Sequence, residues 1–103
     1  MIVYEVNLSI DAAVYDAYRV WLDAHIAEIL TLDGFLQATV WEVREPPASP
    51  TLRALCVHYR LRDRAALEDY FAHHAPRLRE EGQRRFGGRF SATRRVLARV
   101  DAP

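Results

Sequence analysis

The chain predicts an α+β fold of the ferredoxin-like type, with element order β-α-β-β-α-β, and three observations predict it. Residues 14–30, VYDAYRVWLDAHIAEIL, carry apolar groups at helical spacing over a length that covers a sheet. Residues 2–10, 35–44 and 52–61 alternate apolar and polar side chains with the period of half-buried strands. A second helical region, 63–86, is followed by the closing strand. That order gives one antiparallel sheet with its helices on one face.

Taken in order, the first strand turns Ile2, Tyr4, Val6, Leu8 and Ile10 to one side and Val3, Glu5, Asn7 and Ser9 to the other. Asp11 stands where a carboxylate can cap the free amides of a first helical turn. On the long helix, Val14, Tyr18, Trp21, Leu22, His25 and Ile29 fall within an arc of about 100°, the width of a core-facing stripe. Gly34 ends that region, because glycine adopts the left-handed conformation that stops a helix. The second strand, Phe35 to Arg44, sets Leu36, Ala38 and Val40 against Gln37, Thr39 and Trp41. Pro46, Pro47 and Pro50 break the ladder and make an exposed connection to the third strand, Leu52 to Leu61.

Asp63 is a second N-cap, opening a helix with the stripe Leu67, Tyr70, Phe71 and His74. Pro76 would clash with the carbonyl of Ala72, so the helix breaks there and a short one runs from Pro76 to Phe86. Gly87 and Gly88 end it, Phe90 to Val100 is the last strand, and Asp101 to Pro103 is a frayed tail.

At 103 residues the chain is expected to be one domain, 1–103, burying roughly two-thirds of its unfolded surface. The N-terminus shows no basic leader or cleavage site, and no apolar run approaches the ~20 residues of a membrane span. Cys56 is the single cysteine, with no disulfide or CxxC partner, so a reducing cytoplasm is the expected location. The net charge of zero hides a division: residues 1–50 carry −6 and residues 51–103 carry +6. Glu80 and Glu81 lie four residues before Arg84 and Arg85, the spacing of helix pairing, which favours complementary faces that meet within the fold or across a dimer over a nucleic-acid surface. All basic residues are arginine, a mark of a GC-rich genome.

Helices on one side leave the other side of the sheet bare. That face is expected to carry Val3, Glu5, Asn7, Gln37, Thr39, Trp41, Cys56, His58 and Arg60, with Thr93 and Arg95 from the last strand. Apolar groups mixed with charges and amides fit a surface that meets a partner or ligand. His25, Asn7 and His58 are the candidate catalytic residues, and Glu5, Trp41 and Arg95 the candidate ligand contacts. A carboxylate, an imidazole and a guanidinium on one half-buried face suffice for acid–base chemistry or anion binding, and equally for a hydrogen-bonded dimer contact. The plain reading of His25 is a core histidine satisfied by a nearby acceptor, and its functional reading is a general acid or base at the rim of a cleft between helix and sheet; His74 shares that ambiguity, and His73 faces solvent. The four histidines lack HxH or HExxH spacing, so no metal and no cofactor is expected.

Val3, Tyr4, Val6, Asn7 and Leu8 fit five positions of the first-strand motif of RNA-recognition domains. The third strand, Arg53 to Tyr59, lacks the glycine and the alternating aromatics of their octapeptide, so nucleic-acid binding is not the expectation.

Taken together, MIVYEV, WLDAHI, HAPRLREEG and the closing RRVL resemble a bacterial family of domains of unknown function in the dimeric α/β-barrel group. The resemblance implies a homodimer packed bare face to bare face. The wider group includes cofactor-independent monooxygenases and haem-degrading enzymes. Its haem-degrading members use a first-strand asparagine, matched by Asn7, with a helix histidine, for which His74 stands in, and a tryptophan that has no counterpart near the second helix. The expectation is a homodimer that binds or transforms a small, partly apolar molecule without metal. An RNA-recognition-like module and a structural partner-binding domain are the alternatives.

Overall fold

Alternation at the N-terminus makes β1, Ile2–Asp11, the strand on which the rest of the sheet is assembled. In the computed structural model, which describes residues 1–101, β1 pairs antiparallel with both β3, Leu52–Leu61, and β4, Phe90–Ala98. β2, Phe35–Glu42, pairs with β3, giving the sheet order β2-β3-β1-β4. Helices α1, Tyr15–Ile29, α2, Arg64–His73, and α3, Ala75–Phe86, cover one face, and the order is the ferredoxin-like one. The core lies between, with Tyr4, Ile10, Val57 and Leu61 of the sheet against Tyr18, Ile29, Leu67 and Leu78 of the helices. Among the described residues no helix is long and apolar enough to cross a membrane.

Both N-caps form. Asp11 Oδ1 accepts from the amide of Ala13 at 2.8 Å, and Asp63 Oδ1 from the amide of Ala66 at 2.9 Å. Gly34 has a φ of +86°, and a Cβ there would collide with that of Ala66, so both backbone and packing demand glycine.

Several boundaries and faces differ from the sequence reading. Residues 12–14 form a 3₁₀ turn, which leaves Val14 ahead of α1. The buried side of α1 includes Ile26 and leaves His25 half-buried, so the stripe is centred closer to Ile26 than a wheel drawn from Val14 places it. β2 stops at Glu42 and β4 at Ala98, short of Arg44 and Val100. A bulge in β2 pairs Phe35 with Leu61 and then Gln37 with Arg60, so Leu36 is the extra residue. Phe35 therefore enters the core at 7% exposure while Leu36, expected inside, is 55% exposed. Of the C-terminal tail, Ala102 and Pro103 lie outside the described residues.

The opposed charges of the two halves meet within the chain. Arg77 reaches Glu28 at 2.9 Å, Arg89 reaches Asp11 at 2.9 Å, and Arg62 reaches Asp33 at 3.2 Å, each joining an acid of the first half to an arginine of the second.

Candidate functional site

The two faces of the sheet carry two different groupings. On the helix side, a cavity of about 120 Å³ lies between the sheet and α1, α2 and α3. Tyr59 comes from β3, Tyr18, Trp21 and His25 from α1, and Tyr70 from α2. Gly82 of α3 lets that helix approach: a Cβ there would stand 2.9 Å from Trp21 Cη2. Trp21 in turn stacks on His25, with ring centroids 4.6 Å apart and planes 21° apart.

Tyr18, Tyr59 and Tyr70 are each no more than 4% exposed, and their hydroxyls bond to no other described residue. The only fully shielded side-chain polar atom without a partner, among the described residues, is Arg19 Nε; the three phenols therefore keep contact with open space. Hydroxyls without a protein partner on residues that line a cavity can donate to an acceptor placed there. Burial raises all three phenol pKa values, that of Tyr70 to about 12, which keeps them donors at neutral pH. Tyr4 differs, because its hydroxyl accepts from Arg79 Nη2 at 3.0 Å.

Positive charge flanks the same space. Arg79 and Arg94 line the cavity, and neither is ion-paired among the described residues. The charge of Arg94 acts on Tyr18, His25, Tyr59 and Tyr70. Burial lowers the His25 pKa, against the pull of Glu81 and Glu28, and favours the neutral imidazole. Among the described residues, His25 is the only His, Cys, Asp or Glu of the lining.

The bare face holds the second grouping. Glu5 stands opposite His58 of β3 and Arg95 of β4, and Asn7 opposite Cys56 and Thr93. This register places Thr93 and Arg95 on the face expected of them and brings Glu5, Asn7, His58 and Arg95 together. Arg95 Nε and Asn7 Nδ2 donate to Glu5 Oε1 at 2.6 and 2.9 Å, and His58 Nε2 lies 2.7 Å from Oε2. Covered by these partners, Glu5 is only 4% exposed. The hydrogen bonds of Arg95 and then Asn7 hold its carboxyl at about 2, against the upward push of burial. Trp41 lies opposite Cys56 and is 56% exposed.

The candidate catalytic residues lie on two faces, His25 beside the cavity on the helix side and Asn7 and His58 on the bare face, as their helix and strand positions imply. Asn7 and His74, the pair of the haem-degrading resemblance, are likewise on opposite sides, and His74 lies 4.0 Å from Asp69 at the end of α2. Conversely, Arg79, Arg94 and the free tyrosines escape sequence reasoning. One signal was present: Arg94 and Arg95 are neighbours on an alternating strand, so one of them must face the helices.

Over residues 1–100 the chain matches the family described as a domain of unknown function (DUF4286), and it belongs to that family. No curated protein matches it. Its fold is similar to that of a Deinococcus radiodurans protein named for antibiotic biosynthesis monooxygenases, at 17% identity over 100% of this chain and 96% of that one, with a TM-score of 0.70. It is also similar to a variant of SnoaB, a cofactor-independent oxygenase from Streptomyces nogalater, at 12% identity over 98% and 95% of the two chains, TM-score 0.70. A dimeric ferredoxin-like protein from an uncultured marine organism is similar at 14% identity over 99% and 98%, TM-score 0.51. At such identities the likeness establishes the fold alone.

Proposed function

We propose that this member of the DUF4286 family is a cytoplasmic homodimer that binds one small, partly apolar molecule per subunit in the helix-side cavity, without a metal there. The observation that carries the reading is the set of three tyrosines with buried rings, whose hydroxyls have no protein partner among the described residues, lining a space flanked by Arg79 and Arg94. Aromatic walls bind an apolar body, the phenols donate to its oxygens, and the two guanidiniums favour a negative charge. At about 120 Å³ the space is of the same order as an apolar cavity of about 150 Å³ that accommodates benzene, so a single-ring molecule is the size class to test. Pairing through the bare face is supported by exposed Trp41 and by the dimeric state of the marine relative in fold.

Benzoate is a suitable probe, being one ring with one carboxylate. Calorimetric titration is expected to show one saturable site per chain, and Arg94→Gln to weaken binding about tenfold, the loss of one charge-assisted contact. Phenol, which lacks the charge, should respond far less to that substitution. Absence of saturable binding for either probe would overturn the proposal.

Turnover of the bound molecule is a second reading, favoured by the neutral His25 beside the cavity and by the fold shared with a cofactor-independent oxygenase. In that reading His25 removes a proton from the ligand as general base.

A further inference from the structure

On the sheet face away from the cavity, Cys56 and His58 stand two residues apart on β3, so both side chains leave the same side of the strand. Glu5 of β1 is the cross-strand neighbour of His58. One sulfur, one imidazole nitrogen and one carboxylate oxygen from these residues all lie within 4.8 Å of one another. We propose that Glu5, Cys56 and His58 form a binding site for a divalent cation of the zinc type, with the fourth position on the outer face of the sheet, turned toward the proposed partner subunit.

The donor chemistry selects the metal. Thiolate, imidazole and carboxylate together suit a borderline-soft cation that accepts four ligands, and are a poor set for magnesium or calcium, which take oxygen. Zinc bonds of ~2.0–2.3 Å place neighbouring ligand atoms roughly 3.3–3.8 Å apart in a tetrahedron. The sulfur has to close by about an ångström at most, and His58 Nε2 has to part from Glu5 Oε2, now 2.7 Å away, by rather less. Strand pairing sets the backbones of Glu5, Cys56 and His58, and the side chains of Cys56 and His58 are half-buried.

The surroundings support the carboxylate in the required way. Arg95 and Asn7 both hold Oε1, which leaves Oε2 as the oxygen turned toward the imidazole. A ligand oxygen of fixed orientation, backed by a hydrogen-bonded partner, is the arrangement that raises metal affinity in protein sites. The thiolate and the carboxylate together balance a cation of charge +2, and the thiol of Cys56 releases its proton when the metal binds, so the site as a whole becomes more positive by one charge. Arg95 remains as an outer partner, so its guanidinium does not have to leave. The site is independent of the cavity, which lies across the sheet.

Cobalt(II), added alone to the reduced full-length chain, reads the proposal directly. The expected result is one ion per chain, with a thiolate-to-cobalt charge-transfer band in the near ultraviolet, visible bands of tetrahedral intensity, and displacement of both by zinc. Cys56→Ser should abolish the near-ultraviolet band, and His58→Gln should weaken cobalt binding tenfold or more. Both positions are only half-buried, and circular dichroism of each variant checks that the fold is kept. No thiolate band in the wild-type protein, or a band that survives in both folded variants, would overturn the proposal.

Discussion

His25 sits where a positive charge is disfavoured, half-buried against Trp21 and beside the cavity. Its pKa in the folded chain lies below the ordinary 6.5, with burial as the leading cause. Between those two values the unfolded chain binds the proton more readily than the folded one, so acid favours unfolding. The contribution is fully present above pH 6.5 and is lost as the pH falls from 6.5 toward the folded value. Thermal unfolding followed from pH 8 to pH 5 should show this decline, and His25→Gln should flatten it. Retention of the full slope in the variant would assign the decline to another group. Binding of benzoate by the same variant separates the roles further: a histidine that serves only as a wall residue leaves affinity within a few-fold, whereas the catalytic reading requires loss of turnover as well.

At the scale of elements, β2 shows how far the sequence can be read. Alternation from Leu36 onward identifies the strand and the face of Ala38, Val40 and Trp41, and all three keep their assignments. A bulge is invisible to alternation, because it adds one residue without changing composition, and it exchanges the roles of Phe35 and Leu36. Phe35→Ala is therefore expected to cost about 3–5 kcal/mol, the range for a truncated core aromatic, and Leu36→Ser less than about 0.5 kcal/mol. Denaturant unfolding measures both, and equal losses would contradict the observed register. The bare-face grouping was legible for a different reason. Strand order and parity alone bring Glu5, Asn7, His58 and Arg95 together, and the pairing shows the same set. A cleft between helix and sheet beside His25 was legible, but its tyrosine and arginine lining was not, since that depends on how α1 and α3 rotate onto the sheet and on the close approach that Gly82 permits at Trp21. Cys56-x-His58 was present in the sequence, yet only the cross-strand position of Glu5 turns it into a cluster.

For the whole molecule, ion pairs such as Arg77–Glu28, Arg89–Asp11 and Arg62–Asp33 join the opposed charges of the two halves inside the chain, and the proposed surface for association is the bare face with its mixture of apolar and paired polar groups. Sedimentation equilibrium at micromolar concentration should give about twice the chain mass. Trp41→Arg should shift the chain toward monomer, because an unpaired guanidinium buried at the interface costs several kcal/mol; a wild-type monomer would contradict the homodimer. The central claim is that the ligand enters on the helix side of the sheet. Proton–nitrogen correlation spectra recorded during a benzoate titration test it most directly, because each face carries its own reporters. Entry on the helix side gives saturating shifts at the Trp21 indole and the Gly82 amide while the Asn7 side-chain amide and the Trp41 indole stay in place. Shifts confined to Asn7 and Trp41, or no saturating shift at Trp21 and Gly82, would contradict it.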